Sequence, residues 1–149
     1  LTAGIGAEAV AIARDWIGTP YLHQASVKGA GADCLGLLRG VWRGLYGAEP
    51  ELVPAYSPDW SEPSRDEALW RAAERHLLSK AIGDAVSSDV LLFRMAAGSV
   101  AKHLGIAGRV GPDASFIHAY SRHGVVESPL SAPWAQRIVA RFKFPERGV

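Results

Sequence analysis

Apolar residues recur at helical spacing from the start of the chain: Ile5, Ala9, Ile12, Ala13, Trp16 and Ile17 share one face, and the pattern stops at Gly18 with Pro20 just beyond. That layout predicts an amphipathic helix and its terminator. From Tyr21 to Asp33 the periodicity vanishes among Lys28, Gly29, Gly31 and other small residues, which predicts a connecting loop. A second apolar stripe follows in Cys34, Leu37, Leu38, Val41, Trp42 and Leu45, with Asp33 where its carboxylate can cap the first free N–H groups. After Gly47 the chain is punctuated by Pro50, Pro54, Pro58 and Pro63, too often for regular structure. An ordered surface excursion that could shape a substrate groove is expected there. Ser64 and Glu67 have capping-box spacing, and Ala68, Leu69, Ala72, Ala73 and Leu77 continue as a third helix.

The second half changes period. Val90 to Met95, His103 to Val110, Phe116 to Tyr120, Val125 to Ser128 and Ile138 to Phe144 are short, rich in β-branched or aromatic residues, and separated by Gly, Pro and Ser. These predict five strands. The run Tyr120-Ser-Arg-His-Gly-Val125 reads as a hairpin connection in which Gly124 supplies a positive φ, so its two flanking strands should pair antiparallel. Helices first and strands afterwards predict an α+β domain, and 149 residues suit a single domain spanning 1–149. There is no internal repeat.

Composition narrows the function classes. Sixteen Lys and Arg against fifteen Asp and Glu leave a net charge of +1, scattered without blocks, so no nucleic-acid partner is expected. No apolar run reaches the roughly 18 to 20 residues needed to span a bilayer, and the start lacks a signal-peptide layout. A soluble chain without membrane insertion is expected. The single cysteine excludes an internal disulfide, and the short Cys/His spacings of zinc sites are absent, so no zinc site is expected.

Cys34 therefore needs its own explanation. A lone cysteine is ordinarily a small buried hydrophobe, and Cys34 does lie on the apolar stripe. Yet the first turn of a helix lowers a thiol's pKa and offers free N–H groups to an oxyanion. A thiol nucleophile also needs an imidazole to take and return its proton, and the chain offers His23, His76, His103, His118 and His123. In Lys-His-Leu-Gly-Ile-Ala, Leu104 and Ile106 alternate toward a core and leave His103 on the opposite side. His118 alternates with Ile117 and Ala119 in the same way, so a neighbouring strand could bring it beside His103 to orient the base. Either histidine alone could be a half-exposed strand residue satisfied by water, and His23 is expected at the surface. Trp16, Trp42, Trp60, Trp70 and Trp134 are too dispersed to predict a sugar or base platform, and Trp16 and Trp42 read as core.

Four runs, Gly18-Thr-Pro-Tyr21, Ala32-Asp-Cys-Leu-Gly36, Lys102-His-Leu-Gly-Ile-Ala107 and Phe116-Ile-His-Ala119, resemble the ordered landmarks of the NlpC/P60 cysteine peptidases across nearly the whole chain. They are most similar to the branch found in phage tail and gene-transfer-agent clusters, described as phage cell wall peptidases. The resemblance implies a papain-like α+β fold, with the N-terminal helices packed on a five-stranded antiparallel sheet. Carried over residue by residue, Cys34 matches the nucleophile, His103 the base and His118 the third polar residue. Tyr21 matches a tyrosine that lines the site and helps at the oxyanion, and a loop aromatic that simply packs on the first helix is an equal alternative. Asp33 is expected to border the substrate with it. The implied reaction is hydrolysis of peptidoglycan stem peptides between D-glutamate and the following diamino acid, through an acyl-enzyme on Cys34, with no cofactor or metal required.

The chain departs from the family pattern at Leu35, where serine is common, and at His23-Gln24, where a glycine pair is common. Those positions are expected to line or border the substrate cleft and to affect which bond is cut. Ser88-Asp89 stands where the family has Gly-Asp, and Asp89 is expected to be a turn residue at the start of a strand. The resemblance further implies a protein made in the cytoplasm, carried in the tail of a phage-like particle and acting in the periplasm or cell wall of the target cell. Tail hub or baseplate proteins would be its partners, reached through the segment from Gly47 to Ser64 or through Arg-Phe-Lys-Phe-Pro145. A structural adaptor of a tail tip and an amidase on the same fold are the alternatives.

Overall fold

A computed structural model describes residues 4–53, 56 and 67–147. Helix α1 (Ile5–Asp15) buries Ile5, Ala9, Val10 and Ala13, and Trp16 is buried just past its end. Ile17, expected on the same stripe, is 44% exposed because the helix has already ended, and Gly18 turns away with φ +96°. Helix α2 (Cys34–Tyr46) buries Cys34, Leu37, Val41 and Leu45. Two glycines let α1 and α2 approach closely. A Cβ on Gly40 would lie 2.1 Å from the Trp16 ring, and one on Gly44 would lie 2.8 Å from Ile12. Helix α3 (Ala68–His76) buries Leu69 and Ala73. The expected Ser64 capping box lies outside the described residues, as do Pro54, Pro58, Trp60 and Pro63.

The connection between α1 and α2 is more regular than a loop. Strands β1 (Ser26–Val27) and β2 (Gly31–Ala32) form a short antiparallel hairpin, and Tyr21 bridges to Ala32. Two residues per strand are too few to leave a periodic signal.

The main sheet has six strands where five were expected. These are β3 (Leu78–Lys80), β4 (Val90–Phe93), β5 (His103–Ala107), β6 (Ser115–Tyr120), β7 (Gly124–Pro129) and β8 (Ile138–Lys143), in the order β3-β8-β4-β5-β6-β7 and antiparallel throughout. The unexpected strand β3 is a three-residue Leu-Ser-Lys edge with no apolar alternation. Among the described residues it pairs only with β8, whose chain position gives no local hint of that neighbour. The β6–β7 hairpin forms as expected, with Gly124 at φ +73°, and Arg122 also takes a positive φ of 72°.

Alternation along the strands divides the interior in two. Leu104, Ile106, Ile117 and Ala119 face the helices and join Leu37, Val41 and Trp16 in the larger core. Phe93, Ala107 and Phe116 face the other way into a smaller cluster. The short helix α4 (Ala132–Ala135) brings Trp134 against that second face. His103 and His118 lie on this second face, while Cys34 belongs to the helical side.

Asp89 anchors the start of β4. Its carboxylate accepts hydrogen bonds from the Val86 N–H at 2.8 Å, from Lys80 Nζ at 2.9 Å and from Arg141 Nη1 at 2.9 Å. It is thus the expected turn residue and also the centre of a buried ion cluster joining β3, β4 and β8.

Candidate active site

Asp33 shapes the start of α2. One carboxylate oxygen accepts from the Gly36 N–H at 2.7 Å, the capping bond expected from the sequence. The other accepts from the Gln24 N–H at 2.7 Å and from the Tyr56 hydroxyl. The next residue, Cys34, is held in the first turn with its Sγ donating to the Lys102 carbonyl at 3.8 Å. That carbonyl immediately precedes β5, so the nucleophile candidate is tied to the strand that opens with His103.

A cleft of about 170 Å³ is lined by Cys34 and His103 together with Tyr21, Asp33, Tyr56 and Lys102, among others. His103 lies at the start of β5 and His118 on the neighbouring β6, with His103 Nε2 and His118 Nδ1 2.8 Å apart. Gly105 permits this arrangement: a Cβ there would come within 2.9 Å of Phe116 and 3.2 Å of His118. With Nε2 engaged by His118, Nδ1 is the His103 nitrogen left to serve a thiol across the cleft. His118 is fully buried behind His103, and its Nε2 meets Ser128 Oγ at 2.9 Å.

No family model matches the chain, and no curated protein matches it. Solved structures do. An NLP/P60 family protein described as similar to lipoprotein, from Staphylococcus aureus subsp. aureus Mu50, matches over 96% of this chain at 17% identity and a TM-score of 0.61. An NlpC/P60 family protein from Bacillus cereus matches over 93% at 16% identity and a TM-score of 0.62. NlpC1 from Trichomonas vaginalis matches over 97% at 18% identity and a TM-score of 0.63. The chain has the NlpC/P60 fold. It spans 42%, 40% and 45% of those three chains, less than half of each.

Several side chains in this NlpC/P60 fold stand differently from expectation. His23, expected at the surface, is half-buried and lines the cleft. Its Nε2 meets the Tyr56 carbonyl oxygen at 2.8 Å, and its Nδ1 is 3.7 Å from Asp33. Among the described residues of the Pro-rich excursion, Tyr56 lines the groove. Leu35 points away from the cleft into an apolar groove it shares with Leu38, Trp42, Leu69 and Leu77, because the residue after Cys34 turns about 100° around the helix. Trp134, read as dispersed, packs against both imidazoles, 5.6 Å from His103 and 5.2 Å from His118 between ring centroids. Among the described residues, no group of three or more His, Cys, Asp or Glu could hold a metal ion.

Ser128 is the contact that sequence reasoning missed. The hairpin register sets Ser128 opposite Phe116 and Val126 opposite His118, so Ser128 lies diagonal to His118 on the same face. Counting outward from the expected turn at Gly124 was the signal that could have found it.

The electrostatics reverse one expectation. Burial pushes the Cys34 thiol up to about 12, and the adjacent Asp33 charge adds to the rise, while backbone N–H bonds from Leu104, Leu35 and Cys34 itself oppose it less strongly. Loss of solvent therefore outweighs the helix terminus. Burial also pulls His103 down to about 4 and His118 to about 3, the latter helped by its histidine neighbours. The resting pair is a neutral thiol and a neutral imidazole. Alkylation of Cys34 by iodoacetamide should accordingly be slow and rise about tenfold per pH unit without levelling off between roughly pH 5 and 9, since only the thiolate reacts quickly and its fraction grows in that proportion below the thiol's pKa. A step up in rate with an acidic midpoint would mean a preformed thiolate–imidazolium pair and overturn this assignment.

Proposed function

We propose that this chain is an NlpC/P60 cysteine peptidase that hydrolyses stem peptides of peptidoglycan at the D-glutamyl–diamino acid bond. The observation carrying the reading is the convergence of Cys34 at a helix N-terminus and His103 on one cleft, with His118 on the far nitrogen of His103. As Cys34 Sγ bonds to the scissile carbonyl carbon, its proton passes to His103 Nδ1, which then protonates the leaving amine. Water, deprotonated by the same nitrogen, releases the acyl group. Free N–H groups at the start of α2 and the Tyr21 hydroxyl are the donors available to the oxyanion.

Mass spectrometry of muropeptides incubated with the protein tests this reading. New fragments ending in D-glutamate support it. Fragments cut between muramic acid and L-alanine would assign the amidase alternative, and intact muropeptides would favour the adaptor.

The tail location rests on the four sequence landmarks. Of the two segments first considered for docking, Arg141, Phe142 and Phe144 are buried in or just beyond β8. The segment after Gly47 is the one to delete. Its removal should lower the amount of this protein in purified phage-like particles while the domain stays folded, and unchanged incorporation would sink the docking idea.

A further inference from the structure

The hydrogen bonds behind the cleft form a single line: His103 Nε2 to His118 Nδ1 at 2.8 Å, then His118 Nε2 to Ser128 Oγ at 2.9 Å. Between two neutral imidazoles one proton lies between the near nitrogens, and its owner fixes both far ones. If it belongs to His103 Nε2, His103 Nδ1 is a lone pair that can take a thiol proton. His118 then accepts at Nδ1, carries its own proton on Nε2 and donates to Ser128. In the reverse arrangement Ser128 donates to His118 Nε2, His118 Nδ1–H donates to His103, and His103 Nδ1 carries a proton. That arrangement has no base facing Cys34.

We propose that Ser128 is a positioning residue that accepts the His118 Nε2–H and thereby holds His103 in the tautomer able to act as base. The inference rests on the peptidase reading for its consequence but not for its geometry. His118 is fully buried and His103 is 9% exposed. Phe116 lies 4.1 Å from the His118 ring and Trp134 covers both imidazoles, so solvent is a poor substitute for the serine oxygen. An Nε2–H left without an acceptor in that setting carries a full desolvation penalty, which would drive the pair toward the unproductive tautomer. When His103 takes the thiol proton, its Nε2–H stays directed at His118 Nδ1 and the His118 Nε2–H at Ser128, so the line needs no reversal during the reaction.

Ring-nitrogen NMR of the protein carrying 15N-histidine reads the tautomers without any substrate. The expected result is protonated Nε2 and unprotonated Nδ1 on both His103 and His118. Ser128→Thr should keep that state, whereas Ser128→Val, which matches threonine in shape but lacks the hydroxyl, and the smaller Ser128→Ala should both shift His118 toward Nδ1–H. On a cleaved muropeptide, Val and Ala should lower kcat about tenfold, the effect of one lost buried hydrogen bond, leave KM unchanged, and be rescued by Thr. Wild-type tautomers in both the Val and Ala variants, or Nδ1–H on His118 in the unmodified protein, would overturn the proposal. If the protein cleaves no muropeptide while the tautomers follow Ser128 as stated, the peptidase reading fails and the positioning role stands.

Discussion

Cys34→Ala should abolish muropeptide hydrolysis, a loss of at least about 10⁴-fold in kcat, because Cys34 supplies the thiol that lines the cleft with His103. The fold should survive. Cys34 is 7% exposed and belongs to the larger core, so alanine keeps an apolar side chain there and sacrifices one sulfur's packing. Cys34→Ser is the sharper companion. A hydroxyl gives up its proton far less readily than a thiol, and His103, pulled down to about 4 by burial, is a weak base for it. Serine should therefore be nearly as inactive as alanine despite its nucleophilic oxygen. Initial rates followed by chromatography, alongside circular dichroism to verify folding, read both variants. Residual activity within tenfold of wild type in Cys34→Ala would remove Cys34 from the mechanism.

The largest loss of stability should come from Asp89→Ala. The Asp89 side chain is 1% exposed, Arg141 7% and Lys80 11%, and the carboxylate meets both cations at 2.9 Å. Removing it takes the carboxylate from the buried Arg141, which keeps only the Ile82 carbonyl, leaves Lys80 the exposed Asp84 at 3.7 Å, and frees the Val86 N–H. Breaking a buried pair by deleting one partner typically costs about 3 to 5 kcal/mol. Denaturant unfolding should show that loss at constant slope. Combining Asp89→Leu with Arg141→Met should recover much of it, since the cost lies in the unpaired charge more than in the absent attraction. A single-variant loss under about 1 kcal/mol would show that solvent already screens the cluster. The same cluster explains why an aspartate at the head of β4 is structural here and takes no part at the cleft.

The candidate site was legible to the extent that it follows local rules. Cys34 could be assigned to a helix's first turn because Asp33 announces the cap and the stripe from Leu37 to Leu45 announces the helix. His103 and His118 could be assigned to one side of their strands because Leu104, Ile106, Ile117 and Ala119 demand the other. What pattern could not supply was the environment. A thiol at a helix terminus is predicted to be acidic, yet Cys34 is packed so closely that burial dominates and its proton is held more tightly than in water. Likewise His23 has no periodic signal. Its position in the cleft comes from the β1–β2 hairpin and from Tyr56, a partner 33 residues away.

The sequence by itself thus determined the α+β class, the three main helices, five of the six main-sheet strands, and which faces Cys34, His103 and His118 occupy. Each depends on side-chain period, caps and turns within a few residues. Only the tertiary structure decided the sixth strand, the Asp89 ion cluster, the seating of Trp134 on the imidazoles, the Ser128 contact and the neutral resting state of the thiol. Those depend on strand order, register and the exclusion of water, which arise from contacts between distant parts of the chain and leave no local pattern to read.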